Sequence, residues 1–262
     1  MKQAAKPRPS GNASLEKGLD LFNRIARDRG QTPLAALAAE MGLPRSTLYR
    51  LTNALEGAGM IARLERHHYE VGLPLAEALR GMTPESQLAR LSRPALRRLA
   101  STCGATAHLG VMENDMVTYL VKESAGSVPA EPSFSRENTQ LEAYCSGIGK
   151  VLLAWLPEEE RARYLAGGPF VALTQRTITD PVVLQETLQT VKAEQFARDD
   201  GEIADDLYCL AVPLWTGDQR VAAAISLSFA RRAEQRREDE GHLAMLRACA
   251  ARLSIGGDGF FS

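Results

Sequence analysis

Apolar residues recur at helical spacing through the first sixty positions and then switch to alternation. Leu15, Leu19, Phe22 and Ala26 predict a first amphipathic helix, with Ser14 as its cap and Glu16-Lys17 in its first turn. Thr32 is expected to cap a second helix whose first residue is Pro33, a position that has no use for an N–H. That helix runs through Leu34–Met41, all good helix formers, and Gly42 supplies the left-handed conformation that ends it. Pro44 opens a third helix after a very short turn, and Leu48, Leu51 and Leu55 form its inward stripe. Gly57 and Gly59 then loosen the chain, and the period becomes two. Ile61 to Leu64 predicts one strand, Tyr69, Val71 and Leu73 a second, and Glu65-Arg66-His67-His68 the polar turn between them.

Three helices followed by a hairpin is the order of a winged helix-turn-helix. The third helix is then the one that enters the major groove, using its N-terminal residues against bases and phosphates. The candidate DNA contacts are Pro44, Arg45, Ser46, Thr47, Tyr49 and Arg50, with Arg66 and His67 in the wing. Arginine can hold guanine through two hydrogen bonds, and Ser, Thr and Tyr hydroxyls can hold phosphates. A helical hairpin packed in a core would show the same local pattern, so the flanking helix and hairpin carry the reading. The pair His67-His68 suggests no metal, because strand neighbours point to opposite faces and no Cys or acidic cluster of ligand spacing is near. No cofactor is expected.

Beyond the hairpin the pattern changes twice. Leu75 to Leu79 predicts a short helix, interrupted at Gly81-Met82-Thr83-Pro84. Thr83 and Pro84 then cap and open a longer one with Leu88, Leu91, Leu96 and Leu99, which Pro94 is expected to kink or split and Gly104 to end. From there strands and helices intersperse. Ala105–Met112, Met116–Val121, Cys209–Trp215 and Val221–Phe229 read as strands, the last two joined at Thr216-Gly217-Asp218. Gly147–Leu156, Glu158–Ala166, Pro181–Val191 capped by Asp180, and Arg231–Leu253 read as helices. This predicts one antiparallel sheet flanked by helices.

Length and charge narrow the class. The 262 residues allow one large or two ordinary domains, and 45% apolar residues provide a core. No stretch reaches the roughly 20 apolar residues that span a bilayer, so no membrane partner is expected, and Met1 to Asn12 lacks the apolar run of a secretory signal. The four cysteines are widely spaced, as free thiols in a cytoplasmic protein would be. The net charge of −1 conceals an asymmetry. Residues 1–74 hold 11 Lys and Arg against 7 Asp and Glu, or +4, and the remainder 20 against 25, or −5. The basic excess sits with the helix-turn-helix but is modest, so a dimer that doubles the phosphate contacts is expected.

Four stretches carry a resemblance. They are Ser14-Leu15-Glu16-Lys17-Gly18-Leu19; Leu43 through Leu51; Cys145-Ser146-Gly147-Ile148-Gly149-Lys150; and Thr177-Ile178-Thr179-Asp180, followed by Asp199-Asp200 and Cys209-Leu210-Ala211-Val212-Pro213. In order and spacing the chain resembles the IclR-type bacterial transcriptional regulators from Ser14 to about Ser254. The resemblance implies an α+β protein with an N-terminal winged helix-turn-helix, a linker helix and a C-terminal GAF-like α/β effector-binding domain. The expected division is a mobile basic arm at 1–13, the DNA-binding domain at 14–74, the linker helix at 75–94, the effector domain at 95–256 and a tail at 257–262. It also implies a homodimer or dimer of dimers on double-stranded operator DNA, with a small organic effector, often a carboxylate or aromatic acid, changing the affinity.

The resemblance places the effector at Cys145, Ser146 and Gly147, with Asp199 and Cys209 on the opposite wall. Physical chemistry agrees for the first set: unpaired amides and the positive dipole end at a helix start attract an anion, glycine admits a close ligand, and Ser146 can donate to a carboxylate. The chain departs from the family pattern at Asp206, where a glycine is usual. The run Asp199, Asp200, Glu202, Asp205 and Asp206 suggests an acidic mouth that disfavours a simple anion. Two other classes compete: thiol chemistry at Cys145 or Cys209 with His108, as an enzyme or a redox sensor, and a DNA-binding oligomer that senses no ligand.

Overall fold

Seven apolar side chains, Leu21, Ile25, Leu34, Leu37, Leu51, Ile61 and Tyr69, are buried together and draw three helices and a hairpin around them. The computed structural model describes residues 12–126, 135–216, 219–231 and 239–254. It divides the chain into two units, Met1–Met82 and Thr83–Ser262. Most of the expected arm, the tail, the Gly217-Asp218 corner and residues 232–238 of the expected closing helix lie outside the described residues.

The first unit holds α1 (Ala13–Asp28), α2 (Leu34–Glu40), α3 (Arg45–Gly57), the antiparallel strands β1 (Ile61–Glu65) and β2 (His68–Val71), and α4 (Leu73–Ala78). Gly42 is left-handed at φ 62°, as expected for the turn between α2 and α3. Several local expectations are corrected. Ser14 lies inside α1, which Asn12 precedes. The buried face of α1 is Gly18, Leu21 and Ile25, while Leu15 and Leu19 are exposed. Pro33, not Thr32, is the N-cap of α2, with no side-chain cap bond, and the Thr32 amide donates to Asp28 Oδ2 at 2.7 Å. The second strand stops at Val71, and Leu73 belongs to α4. Gly72 makes that corner possible: a Cβ there would lie 2.0 Å from the Gly59 carbonyl oxygen.

The second unit opens with α5 (Pro84–Cys103), closed at its start by a reciprocal capping box between Thr83 and Ser86. Pro94 does not split it, and the helix continues well past residue 94. Pro94 sits on the exposed side, where water can satisfy the carbonyl it leaves unbonded, and Leu96, Leu99 and Ala100 hold the next turns in the core. The strands β3 (Thr106–Glu113), β4 (Met116–Ser124), β5 (Gln140–Glu142), β6 (Ala197–Asp200), β7 (Leu207–Trp215) and β8 (Val221–Ala230) form one antiparallel sheet, ordered β5-β4-β3-β8-β7-β6. The short strands β5 and β6 were not expected from periodicity.

Helices cover both sheet faces. On one, α5 and α9 (Asp239–Leu253) bury Leu96, Leu99, Leu246 and Leu253 against Leu109, Val121, Leu210 and Ile225. On the other, α6 (Gly147–Trp155), α7 (Glu158–Leu165) and α8 (Pro181–Glu194) pack Ile148, Leu152, Tyr164, Leu184 and Leu188 against Val117, Tyr119, Ala211 and Ala224. Asp180 caps α8 through the amides of Val182 and Val183. Among the described residues no helix is long and apolar enough to cross a membrane.

Candidate functional site

The first site is the outer face of α3. Pro44 precedes the helix in extended backbone, and Arg45, Ser46, Tyr49, Arg50 and Asn53 are exposed, with Thr47 half-buried beside them. The opposite side is tied down: Leu51 and Thr52 are buried, and Leu48 and Leu55 pack against the same core. Tyr49 leaves 72% of its surface open, so its ring and hydroxyl are available to a partner. Arg50 is partly committed, since its Nη2 donates to Ser14 Oγ at 3.0 Å.

The wing is anchored from within. Leu34 donates its amide to the His67 carbonyl at 2.8 Å, and His68 Nδ1 lies 2.9 Å from the Gly30 carbonyl. His68 is therefore structural, while the side chains of Arg66 and His67 at the hairpin tip are exposed. His67 takes φ 76°, so the tip is a tight left-handed corner.

The second site is a cavity of about 20 Å³ in the second unit, room for about one water. Its lining includes Ser146, Gly147, Asp199 and Cys209, four of the five residues expected there. Cys145, the fifth, packs in the apolar cluster under α6 and is not in the lining. His108, Tyr119, Ser135, Ser226 and Ser228 join the lining and had not been assigned to it. Strand register explains why they meet. Asp199 pairs with Cys209, Cys209 with Ser228, and Ser228 with Thr106, one polar row across four strands. Small polar residues inside otherwise apolar strands were the signal that could have found it.

Local bonds fix the geometry. Ser146 caps α6, its Oγ accepting from the Gly149 amide at 3.0 Å, so its hydroxyl proton remains able to donate. The amides of Gly147 and Ile148 precede the first intrahelical bond. The Gly149 side of the helix is pressed on the Ala143 turn, where a Cβ would lie 2.1 Å from the Ala143 carbonyl oxygen. Cys209 Sγ lies 3.2 Å from Ser228 Oγ, which lies 3.4 Å from His108 Nδ1. Burial, aided by Lys122, lowers the His108 imidazole to about 3, so it is neutral at ordinary pH. Asp199 is 1% exposed, and burial raises its carboxyl to about 7 against the pull of Lys150.

Behind the cavity lies a buried ion pair. Lys150, on α6, donates through Nζ to Glu202 Oε1, and both residues are buried. The Glu202 amide in turn donates to Asp199 Oδ1 at 2.7 Å. Three members of the acidic run are thus matched by cations. Asp200 pairs with Arg231 at 2.6 Å, Glu202 with Lys150, and Asp205 with Arg176 at 3.1 Å. The competing thiol reading meets buried sulfurs at both of its candidates. None of the four cysteines is in a disulfide, and Cys145 and Cys209 are both buried. Burial pushes the Cys145 thiol up to about 12, which suppresses its reactive thiolate.

Comparison with known proteins follows the same division. Residues 14–65 match the IclR helix-turn-helix domain, and residues 81–255 match the bacterial transcriptional regulator IclR C-terminal domain. The chain is 32% identical to the uncharacterized HTH-type transcriptional regulator RhmR of Escherichia coli K12, over 82% of this chain and 81% of that one. It is 28% identical to the transcriptional repressor IclR of the same organism, over 97% and 94%. Among solved structures, an IclR homolog from Microbacterium hydrocarbonoxydans complexed with 4-hydroxybenzoate superposes with a TM-score of 0.60 at 22% identity, covering 92% of this chain and 98% of that one.

Proposed function

The chain belongs to the IclR family of DNA-binding transcriptional regulators, not enzymes, with a helix-turn-helix domain and an effector-binding domain; on that premise we propose that it is a sequence-specific repressor whose hold on operator DNA is changed by a small organic acid. One observation carries the effector half. The buried lining brings a free helix start at Ser146 and Gly147 together with Asp199, Cys209 and a neutral His108. That set offers hydrogen-bond donors to a carboxylate at one end and acceptors to a hydroxyl at the other. A 4-hydroxybenzoate-like acid has both, although it needs far more room than about 20 Å³. Binding therefore requires the cavity to open, and that change is what a ligand would select.

For the DNA half, Arg45, Ser46, Thr47 and Tyr49, with Pro44 shaping the helix start, face the major groove, and Arg50 contributes from the same face. Arg66 and His67 touch the backbone or the minor groove. The protein works in the cytoplasm as a homodimer or a dimer of dimers, because the +4 charge of residues 1–74 is small for one copy. The working division is 14–74 for DNA, 75–94 as the link and 95–256 for the effector. The repressor sign follows the relative named a transcriptional repressor, and relief by the effector is the direction in which the affinity is expected to change.

The test is fluorescence polarisation against the DNA upstream of the protein's own gene, repeated with a panel of small carboxylates and hydroxy acids. Salt-sensitive, sequence-selective binding that one compound weakens supports the reading. Selective binding that no compound shifts removes the effector half, and absence of selective binding to any promoter fragment removes the regulatory role of the α3 face.

A further inference from the structure

The cavity is joined to α5 by a run of polar bonds through the sheet. Ser135, 4% exposed, lines the cavity and accepts from Lys122 Nζ at 2.8 Å. The backbone amide of Lys122 donates to Glu137 Oε1 at 3.0 Å. Glu137 is held in turn by Arg93 of α5, whose two terminal nitrogens donate to Oε1 and Oε2 at 2.7 and 3.0 Å. Arg93 also donates to Glu123 Oε1 at 2.9 Å, and Arg97 grips Glu123 through two bonds of 2.9 and 3.2 Å.

Strand alternation explains how β4 spans the two sides. Lys122 pairs with His108, which lines the cavity, whereas Glu123 pairs with Ala107, part of the core beneath α5 and α9. Adjacent residues on one strand point to opposite faces. The bonds are charge-assisted and forked, which makes the joint sensitive to direction as well as distance. The carboxyls of Glu123 and Glu137 are both held below the usual range, through their bonds to Arg97 and Arg93 respectively. The helix they hold starts at Pro84, two residues after the first unit ends at Met82.

We propose that Glu137 and Arg93 are positioning residues that pass the state of the cavity, through Ser135 and Lys122, to α5 and so to the chain entering the DNA-binding unit. This rests on the cavity being the effector site. It assigns signal transmission to a defined bidentate ion pair rather than to the helix as a whole. By linkage, a ligand that shifts α5 must itself bind with a different affinity when α5 is shifted.

The test is amide hydrogen exchange over residues 84–97 of the full chain, read first without ligand. Arg93→Met should speed exchange about tenfold and Ser135→Ala about threefold, and the double variant should match Arg93→Met rather than multiply the two effects. A silent Ser135→Ala, or effects that multiply, overturns the joint. A melting temperature recorded for each variant separates local loosening from general unfolding. A second arm uses 4-hydroxybenzoate as probe. Wild type should bind it with altered exchange in 84–97, and Glu137→Gln should still bind it but lose that alteration, its affinity shifted by the coupling that is lost; an alteration retained in Glu137→Gln overturns the joint. Failure of wild type to bind 4-hydroxybenzoate counts against the effector reading for that acid, while the ligand-free cycle still decides the joint.

Discussion

The proposed recognition face and the proposed effector cavity put their polar groups in opposite surroundings. On α3, Arg45, Ser46 and Tyr49 stand in solvent on a helix whose other side is fixed by Leu51. In the cavity, Ser146, Asp199, His108 and Ser228 come from four elements and are all at least 96% buried. A group in solvent costs the fold almost nothing and can be chosen for its partner alone. A buried polar group must be satisfied by the protein itself until a ligand arrives. Substitutions on α3 should therefore alter DNA binding and spare stability, while substitutions around the cavity should alter both.

The sharpest way to break that contrast is at Lys150. Lys150→Met leaves the Glu202 carboxylate buried and unpaired, and removing one member of such a pair typically costs about 3–5 kcal/mol. With a sensitivity of about 2–4 °C per kcal/mol for a protein of this size, the melting temperature should fall by roughly 10 °C. Lys150→Met with Glu202→Leu should recover most of the loss, because the uncompensated charge is gone. Thermal melts of the three proteins check this, and a single variant as stable as wild type would show that the pair is solvated.

Asp199 sharpens the contrast through pH. Its folded carboxyl titrates at about 7, raised by burial from 3.8. The folded state therefore keeps a proton that the unfolded chain releases from about pH 4 upward. Stability falls as pH rises between those values and levels off above 7, by at most about 1.4 kcal/mol per pH unit. Asp199→Asn keeps an oxygen for the Glu202 amide and removes the titration. It should gain on the order of 2–4 kcal/mol relative to wild type between pH 4 and pH 8. Urea unfolding across that range decides it, and parallel curves for the two proteins would sink the assignment.

The same contrast explains what could be read from the chain. The helix-turn-helix was legible because its determinants are local: the leucine stripe of α3, the glycine turn at Gly42, and a hairpin two residues wide at the tip. The differences there are of one residue at an element's edge, as where α2 begins at Leu34 with Pro33 as its N-cap. Ser146 and Gly147 were suggested by family resemblance and by the chemistry of a helix start, Asp199 and Cys209 by resemblance alone. His108, Ser226 and Ser228 reach the cavity through strand register, and register is set by pairing between strands more than a hundred residues apart. Cys145 is set apart from Ser146 and Gly147 because adjacent residues at a helix start diverge, and it packs into the core.

On the recognition face the expected effects are smaller and of another kind. Arg45→Ala should leave the melting temperature unchanged and cost about 1–3 kcal/mol of discrimination between operator and altered DNA. Competition binding against operators changed one base pair at a time would show the preference lost at one position. Equal discrimination by both proteins would remove Arg45 from the base-reading set.

Arg66 gives the smallest effect and the finest distinction. It sits at the wing tip, exposed and without a base-reading helix behind it. A phosphate contact there carries no sequence information, so Arg66→Ala should weaken operator and unrelated DNA by the same factor. Each phosphate contact contributes about 0.9 to the slope of log affinity against log salt. The variant's slope should therefore be shallower by about 1 per wing engaged, and by about 2 if a dimer docks both wings. The slope counts the wings without knowing the operator, since any duplex suffices. A slope unchanged from wild type would mean that the wing hangs clear of the backbone, leaving α3 to supply the contacts alone.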